Sequence, residues 1–326
     1  MIEKRVLYVG VEESVHDKRF ISELKKRFKV DKIFNLDKYV NIEKHYFSKF
    51  DLIVCGPLVE TIEHIPESVN VPILGMSHAL ELHTSNSDRH LLGNILRCRS
   101  IIIDCLHSQK ILMNELHYNK KSYVFAYGCD YSFFATTRVK YNVNPLICTT
   151  RNWYKGYNNS LIVEAAKKLI EEGFNLSLTC VGDGPLLDEE IKKISTSEYL
   201  NNFKFLGSLG RKGIRRCFEN NWIYISASES DGSSVSLLEA LSAGMICIVS
   251  DFPSNLEWVE NGVNGFVFNL EEPGSLLRII KKAISLTLEQ KEEMGISARI
   301  SVSQKGNWEV NSKKFMEEVL QTLELV

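Results

Sequence analysis

The chain has 326 residues, of which 44% are hydrophobic and 25% charged, and its formal net charge at pH 7 is −2. This length exceeds one ordinary hydrophobic core and predicts two domains, while the nearly balanced charge gives no reason to expect a nucleic-acid partner. No apolar run is long enough to span a membrane or to serve as a signal peptide, so we expect a cytoplasmic protein. The 8 cysteines show no Cys-x-x-Cys spacing, which predicts buried thiols rather than zinc ligands or a disulfide framework.

Short apolar runs alternate with amphipathic or polar segments through the first part of the chain. The runs predict strands at 6–9, 51–55, 72–74, 101–104 and 123–126, and a helix is expected at 16–28. Such alternation is typical of a parallel sheet covered by helices. Gly10 stands alone after the first strand, so the three-glycine fingerprint of nicotinamide enzymes is absent.

A second alternating series follows a polar passage at 136–144 that is typical of a linker. Its predicted strands lie at 146–150, 176–181, 203–206, 222–226 and 246–250. The sequence therefore predicts one domain over 1–142 and another over 143–307. The final segment, 308–326, has apolar residues at the spacing of an amphipathic helix.

The most informative stretch lies between the predicted strands 222–226 and 246–250. A flexible turn, Asp231-Gly-Ser-Ser234, comes directly before a helical pattern, where free amides and the helix dipole favour an anion such as a phosphate. Asp231 and Glu239 flank this turn as acceptors for hydroxyl groups. Because ligands bind at the carboxyl ends of strands in open α/β sheets, the stretch predicts a sugar-nucleotide site. The amides of Ser233, Ser234 and Val235 are expected to hold the diphosphate, and Gly232 is a further expected donor-binding residue.

The spacing Asp231-x7-Glu239 resembles the Glu-x7-Glu signature of the family-4 retaining glycosyltransferases, which have the GT-B fold. The continuation Glu-Ala-Leu-Ser-Ala-Gly and the later Val-Ser-Asp251 resemble that family too. The first acid here is Asp rather than Glu, a departure that bears on which sugar fits. An alternative for Glu239 is a capping box with Ser236, since Ser-x-x-Glu is a common helix start.

The resemblance implies two Rossmann-like parallel-sheet domains that face each other across a cleft, with the last helix crossing back to the first domain. It assigns Glu239 to the ribose and Asp231 to the donor sugar. Arg151 and Lys155 would hold the diphosphate, although three residues separate them here and four in the family. The loops that resemble the family's nucleotide-binding loops contribute Gly182, Gly184 and Gly207.

His78 follows a strand of the first domain, where the family often carries a His close to the transferred sugar. A structural hydrogen-bonding role is an equal alternative for a lone His at a strand end. The chain has no Asp-x-Asp pair of the kind that holds a diphosphate through a metal. We therefore expect no metal site and no cofactor, and Asp231 and His78 are the candidate catalytic residues.

These features predict a metal-independent, retaining hexosyltransferase that moves a sugar from a UDP-sugar to a hydroxyl of a glycan, lipid-linked or other cell-surface polysaccharide precursor. A nucleotide-sugar 2-epimerase of the same fold and a non-catalytic partner subunit are the alternatives. The helix at 16–28 is basic, which leaves open a peripheral contact with the inner membrane face. The alternative is that its apolar residues Phe20, Leu24 and Phe28 face the sheet and its lysines are simply solvated.

Overall fold

The computed structural model describes residues 4–35, 44–78, 82, 93–142 and 144–324. The chain folds into two compact units. Unit 1 comprises Met1–Tyr127 together with Trp308–Val326, and unit 2 comprises Gly128–Asn307. Each unit contains a six-stranded sheet in which every strand pairing is parallel, so the predicted α/β architecture with two parallel sheets is confirmed.

Unit 1 has the strand order β2-β1-β3-β4-β5-β6. Its strands are β1 (Arg5–Val9), β2 (Lys29–Ile33), β3 (Leu52–Cys55), β4 (Ile73–Ser77), β5 (Ser100–Ile103) and β6 (Lys121–Val124). The described helices before the second unit are α1 (Val15–Leu24), α2 (Lys44–Phe47), α3 (Leu58–Ile62) and α4 (Leu106–Asn114). The interior strands are almost wholly buried, as expected when helices cover both faces of a parallel sheet.

The C-terminal helix, Trp308–Glu324, packs within unit 1. Its Phe315 is fully buried and lies 4.8 Å from the ring of Phe20 on α1. Phe20, Leu24 and Phe28 are all buried in this core. The apolar face of α1 therefore packs inside the protein, while Lys18 on the same helix is exposed.

Unit 2 has the strand order β12-β11-β10-β7-β8-β9. Its strands are β7 (Leu146–Thr149), β8 (Ser177–Cys180), β9 (Phe203–Phe205), β10 (Ile223–Ser226), β11 (Ile246–Ser250) and β12 (Phe266–Phe268). Its helices are α5 (Tyr131–Ala135), α6 (Asn159–Glu171), α7 (Leu187–Ser195), α8 (Arg211–Glu219), α9 (Val235–Ala243), α10 (Pro253–Leu256), α11 (Ser275–Ile284) and α12 (Leu288–Lys305). Neighbouring strands are consecutive on either side of the β7–β10 pair, so the winding direction of the sheet reverses there.

The boundary between the units falls between Tyr127 and Gly128, earlier than the predicted position at 142–143. The reason is the packing of α5 inside unit 2. Phe134 is fully buried there, with its ring 5.9 Å from that of Phe218 on α8. The polar passage at 136–144 is therefore a connection within unit 2.

All eight cysteines are buried, and none of them forms a disulfide. This confirms the prediction of buried thiols.

Candidate active site

The candidate site lies where the winding of the unit 2 sheet reverses. β7 and β10 are neighbours in the sheet, with Ile147 opposite Ile223 and Cys148 opposite Tyr224. The loops that follow their carboxyl ends therefore begin next to each other. In open α/β sheets the two loops at such a switch point then turn to opposite faces of the sheet, and ligands bind in the crevice between them.

The two loops are joined by an ion pair between Arg151, just after β7, and Asp231, after β10. Arg151 Nη2 lies 2.6 Å from Asp231 Oδ2, and the exposed fractions of the two side chains are 9% and 14%. The structure thus brings together two residues that the sequence predicts for the same site. It also pairs them directly with each other, which the sequence does not indicate.

The guanidinium of Arg151 is held on several sides. Nη1 donates to Ser234 Oγ at 2.6 Å and to Ser236 Oγ at 3.1 Å. The Tyr157 ring lies under the guanidinium at 3.9 Å, which is a cation–π contact. Tyr224 in turn donates to Ser236 Oγ at 3.0 Å. Arg151 is therefore oriented before any ligand arrives.

Both the carboxylate and the backbone of Asp231 are held by hydrogen bonds. Oδ1 accepts from the backbone amide of Gly232 at 3.0 Å, and the backbone carbonyl of Asp231 accepts from Ser254 Oγ at 2.9 Å. Burial raises the pKa of the Asp231 carboxyl, and the Arg151 guanidinium opposes that effect. A second negative charge placed close to this carboxylate would raise its pKa further.

Helix α9 begins directly after the turn at Asp231. Ser234 is its N-cap and accepts from the amide of Leu237 at 3.5 Å. Glu239 is therefore the fifth residue of the helix, in its second turn, and a capping box with Ser236 is excluded. Ser233 Oγ accepts from Trp258 Nε1 at 3.3 Å. The amino end of the helix is thus a fixed feature of the crevice and a favourable location for an anion.

The loop carrying Gly182 and Gly184 packs against the loop of Arg151. Both glycines have positive φ, +122° and +149°. A Cβ on Gly182 would lie 2.5 Å from the Arg151 carbonyl oxygen, and one on Gly184 would lie 2.7 Å from that of Trp153. The close approach that requires glycine is therefore between two loops of the protein. Their predicted contact with the donor stays a prediction, as does that of Gly207, whose carbonyl accepts from the Gly182 amide at 2.8 Å.

Lys155 is exposed and begins a single 3₁₀ turn, Lys155–Tyr157. Asn158, in the left-handed region with φ +50°, connects this turn to the loop after β10. Its Nδ2 donates to the Ala227 carbonyl at 3.2 Å and to Glu229 Oε2 at 3.3 Å. The turn that carries Lys155 is therefore anchored beside the loop of Asp231.

Three residues that the sequence analysis does not assign to the site complete this arrangement. Tyr157 and Ser236 contact the guanidinium of Arg151 directly. Asn159, the first residue of α6, donates to the carbonyls of Arg151 and Asn152 at 3.1 and 3.0 Å. Their position in the sequence could have identified them, since each lies within a few residues of a predicted site residue at the carboxyl edge of the sheet.

His78, by contrast, lies in unit 1, immediately after β4. Its ring is 5.3 Å from that of Tyr127 and 6.4 Å from that of His16 on α1, both edge to face. Tyr127 is fixed by a 2.7 Å hydrogen bond to the Ser77 carbonyl. Burial lowers the pKa of His78, and burial together with the neighbouring His78 and Arg19 lowers the pKa of His16 to about 3. Both shifts favour the neutral form of the imidazole, and the sequence does not reveal that the two rings lie close together.

Within residues 4–35, 44–78, 82, 93–142 and 144–324, no group of three or more His, Cys, Asp or Glu side chains could hold a metal ion. No helix in this part of the chain has the length and apolarity required to cross a bilayer.

Comparison with known sequences identifies related proteins. The model of the family described as "Glycosyl transferases group 1" matches residues 138–300, which is half of the chain. The UDP-Gal:alpha-D-GlcNAc-diphosphoundecaprenol alpha-1,3-galactosyltransferase of Escherichia coli is 28% identical over 201 residues, which cover 56% of this chain and 51% of that enzyme. The chain thus spans about half the length of this relative, and the match to CapJ of Staphylococcus aureus spans 39% of that protein.

Comparison with solved structures extends over nearly the whole chain. Sucrose-phosphate synthase of Thermosynechococcus elongatus has a TM-score of 0.82 at 12% identity, with coverage of 99% of this chain and 100% of that one. HepE of Anabaena, solved in complex with UDP-glucose, has a TM-score of 0.76 at 16% identity, with coverage of 98% and 99%. These likenesses confirm the predicted GT-B fold. With this fold and the family match across unit 2, the chain belongs to the glycosyl transferases of group 1.

Proposed function

We propose that this protein transfers a sugar from a UDP-sugar to a hydroxyl of a lipid-linked or other cell-surface polysaccharide precursor. The single observation that carries the proposal is the oriented guanidinium of Arg151 beside the amino end of α9, with Asp231 at 2.6 Å. A guanidinium fork and a helix amino end are both suited to phosphate oxygens. Asp231 and Glu239 supply acceptors for hydroxyl groups on the same loop and helix.

The chemical role of the site is to stabilise the departing diphosphate. Negative charge develops on the diphosphate as the bond to the sugar breaks, and fixed donors aimed at that charge lower the barrier. Arg151 needs little reorganisation, because two serine hydroxyls and the Tyr157 ring already orient it. Lys155 supplies a second, mobile cation from the adjacent turn. We propose that these groups perform this task without a metal ion.

The donor assignment is supported by two relatives. HepE was solved with UDP-glucose, and the E. coli relative is named as a user of UDP-Gal. We assign Glu239 to the ribose and Asp231 to the transferred sugar. The name of the E. coli enzyme also describes an acceptor on diphosphoundecaprenol, which supports a lipid-linked acceptor. Such an acceptor would bring the protein to the inner membrane face, where the exposed Lys18 of α1 and Lys25 at its C-cap would face anionic lipid.

We further propose retention at the anomeric carbon, as in the family-4 enzymes. No residue of the site is forced into the role of covalent nucleophile, because the Asp231 carboxylate is occupied by Arg151 and the Gly232 amide. A front-face route, in which the departing phosphate takes the proton of the acceptor hydroxyl, fits this arrangement. His78 of unit 1 is the residue we assign to contact with the transferred sugar.

The test is a donor panel with the purified protein. UDP-glucose, UDP-galactose, UDP-N-acetylglucosamine and GDP-mannose are each incubated with undecaprenyl-diphosphate-linked sugars, and products are followed by mass spectrometry and by the anomeric coupling in NMR spectra. We expect transfer from at least one UDP-sugar with retention, and its loss in Arg151→Gln. Arg278→Gln is the matched control, since Arg278 forms an exposed pair with Glu272 elsewhere in unit 2. Donor epimerised in the absence of acceptor would instead indicate a 2-epimerase.

A further inference from the structure

A cavity of about 400 Å³ lies at the edge of the unit 1 sheet opposite to His78. Its wall includes Val71 and Pro72, which lead into the amino end of β4, whereas His78 leaves the carboxyl end of the same strand. The charged residues in its lining are Arg97, Arg99, Lys120 and Glu67. Three cations thus share one concave surface with a single acid, and that acid is exposed.

Backbone carbonyls hold these three cations in place. Arg97 Nη2 donates to the carbonyls of Ile65 and Pro66 at 2.6 and 2.9 Å. Arg99 Nη1 donates to the Thr322 carbonyl at 2.9 Å, near the end of the C-terminal helix. Lys120 Nζ donates to the carbonyls of Leu96 and Cys98 at 2.5 and 3.3 Å. The cations are therefore immobilised, so a ligand would lose little side-chain entropy on binding them.

Carbonyl contacts orient the cations but do not neutralise their charge. Within the described ranges, ion pairs form at other basic residues, including Arg5, Arg151 and Arg278, but not at these three. Arg99 and Lys120 also keep donors beyond those bonded to the carbonyls, since a guanidinium has five and an ammonium three. The cavity therefore combines uncompensated positive charge with available, pre-oriented donors.

We propose that this cavity binds a phosphate or diphosphate group. A guanidinium fork matches the oxygen spacing of a phosphate, and a lysine adds a point charge. The group can come from a free polyphosphate or from the headgroup of an anionic lipid. The site is independent of the proposed transfer reaction, because its residues all belong to unit 1 and the predicted diphosphate contacts all belong to unit 2.

The experiment uses the full-length protein and two probes. Inorganic pyrophosphate is titrated by calorimetry, and flotation is measured with phosphatidylcholine vesicles that contain or lack phosphatidylglycerol. The first variant is Arg99→Gln/Lys120→Gln. The second is Asn70→Asp, which adds a negative charge to the cavity lining and leaves the three cations and their carbonyl contacts in place. The matched control is Lys110→Gln, an exposed lysine on α4 outside the cavity.

We expect both cavity variants to weaken binding of one probe by about tenfold or more. Arg99→Gln/Lys120→Gln removes charged hydrogen-bond donors, and Asn70→Asp adds a negative charge that repels the phosphate. Lys110→Gln should behave as the wild type. If the variants weaken pyrophosphate binding, the natural ligand is a free phosphate compound. If they weaken binding to vesicles with phosphatidylglycerol, the ligand is a lipid headgroup. Binding of pyrophosphate in unit 2 would not respond to these substitutions. The proposal is overturned if Asn70→Asp binds both probes as the wild type does, or if Lys110→Gln weakens binding as strongly.

Discussion

Replacing Arg151 with Gln tests the candidate site most directly, because this guanidinium connects the loops after β7 and β10. If Arg151 binds the diphosphate, the variant loses at least one charge-assisted hydrogen bond, which contributes about 1.5–3 kcal/mol. At about 1.4 kcal/mol per factor of ten, UDP affinity should fall roughly 10- to 100-fold. Turnover should fall as well, because the same group stabilises the leaving group.

The same substitution also removes the partner of a buried carboxylate. Breaking a buried ion pair from one side costs about 3–5 kcal/mol when the remaining charge stays buried and ionised. Burial already raises the pKa of Asp231, so in Arg151→Gln this carboxyl can take up a proton instead. The loss of stability should therefore be greatest at high pH and shrink as the pH falls, which melting curves across pH can detect.

A double variant, Arg151→Gln/Asp231→Asn, separates the two effects. It removes both charges and keeps two side chains that can hydrogen-bond, so most of the lost stability should return while UDP affinity stays low. Calorimetry with UDP and thermal melting on the wild type, both single variants and the double variant form the complete cycle. The reasoning is refuted if a folded Arg151→Gln protein binds UDP like the wild type. It is also refuted if the double variant regains full affinity, because Arg151 would then serve only as the partner of Asp231.

Four further outcomes follow from the site. Glu239→Ala should weaken UDP binding by about 1.5–3 kcal/mol in calorimetry, and unchanged affinity in the folded variant would rule out the ribose contact. Activity should survive excess EDTA, whereas a loss that magnesium or manganese reverses would contradict the assigned diphosphate contacts. His78→Ala should lower turnover on the order of 10²-fold with UDP affinity intact, and near-normal turnover would return His78 to a structural role. Folding lowers the pKa of His16 to about 3, so between about pH 6.5 and pH 3 the unfolded chain binds a proton at His16 and the folded chain does not. The free energy of unfolding should therefore decrease as the pH falls through this range, and it should decrease less in His16→Gln, as melting curves at several pH values can show.

The interior strands of both sheets were predictable from sequence, and two edge strands were not. β1, β3, β7, β10 and β11 lie within a residue of their predicted bounds because they are buried on both faces and appear as continuous apolar runs. β2 and β12 lie at sheet edges. β2 reads Lys-Val-Asp-Lys-Ile, with only its last residue buried, and β12 has three residues. Neither strand contains an apolar run long enough to be recognised in the sequence. β2 also begins directly after the helix predicted at 16–28.

The site was predictable as a set of residues but not as a set of contacts. Arg151 and Asp231 were both identified from the loops that carry them, although 79 residues separate them in the chain. Their direct pairing depends on β7 lying beside β10, a neighbour relation that strand patterns do not specify. His16 and His78 follow β1 and β4, which β3 separates in the sheet, and strand patterns do not specify that the two rings lie close together either. The glycines at 182 and 184 were identified from loops that resemble nucleotide-binding loops, but only the structure shows that the backbone they approach is that of Arg151 and Trp153.

The pairing of Arg151 with Asp231 bears on the role of Asp231, which stands where the Glu-x7-Glu signature that it resembles has its first Glu. Both oxygens of Asp231 already have a partner, Arg151 at 2.6 Å and the Gly232 amide at 3.0 Å. Under the proposed function, Arg151 contacts the diphosphate and Asp231 contacts the sugar, so each half of the donor engages one member of the same ion pair. The two halves are therefore coupled through that pair. When a diphosphate also binds the Arg151 guanidinium, the positive charge of Arg151 is shared and neutralises the Asp231 carboxylate less. The carboxylate is then a stronger acceptor for a sugar hydroxyl, so binding of the nucleotide prepares the contact with the sugar.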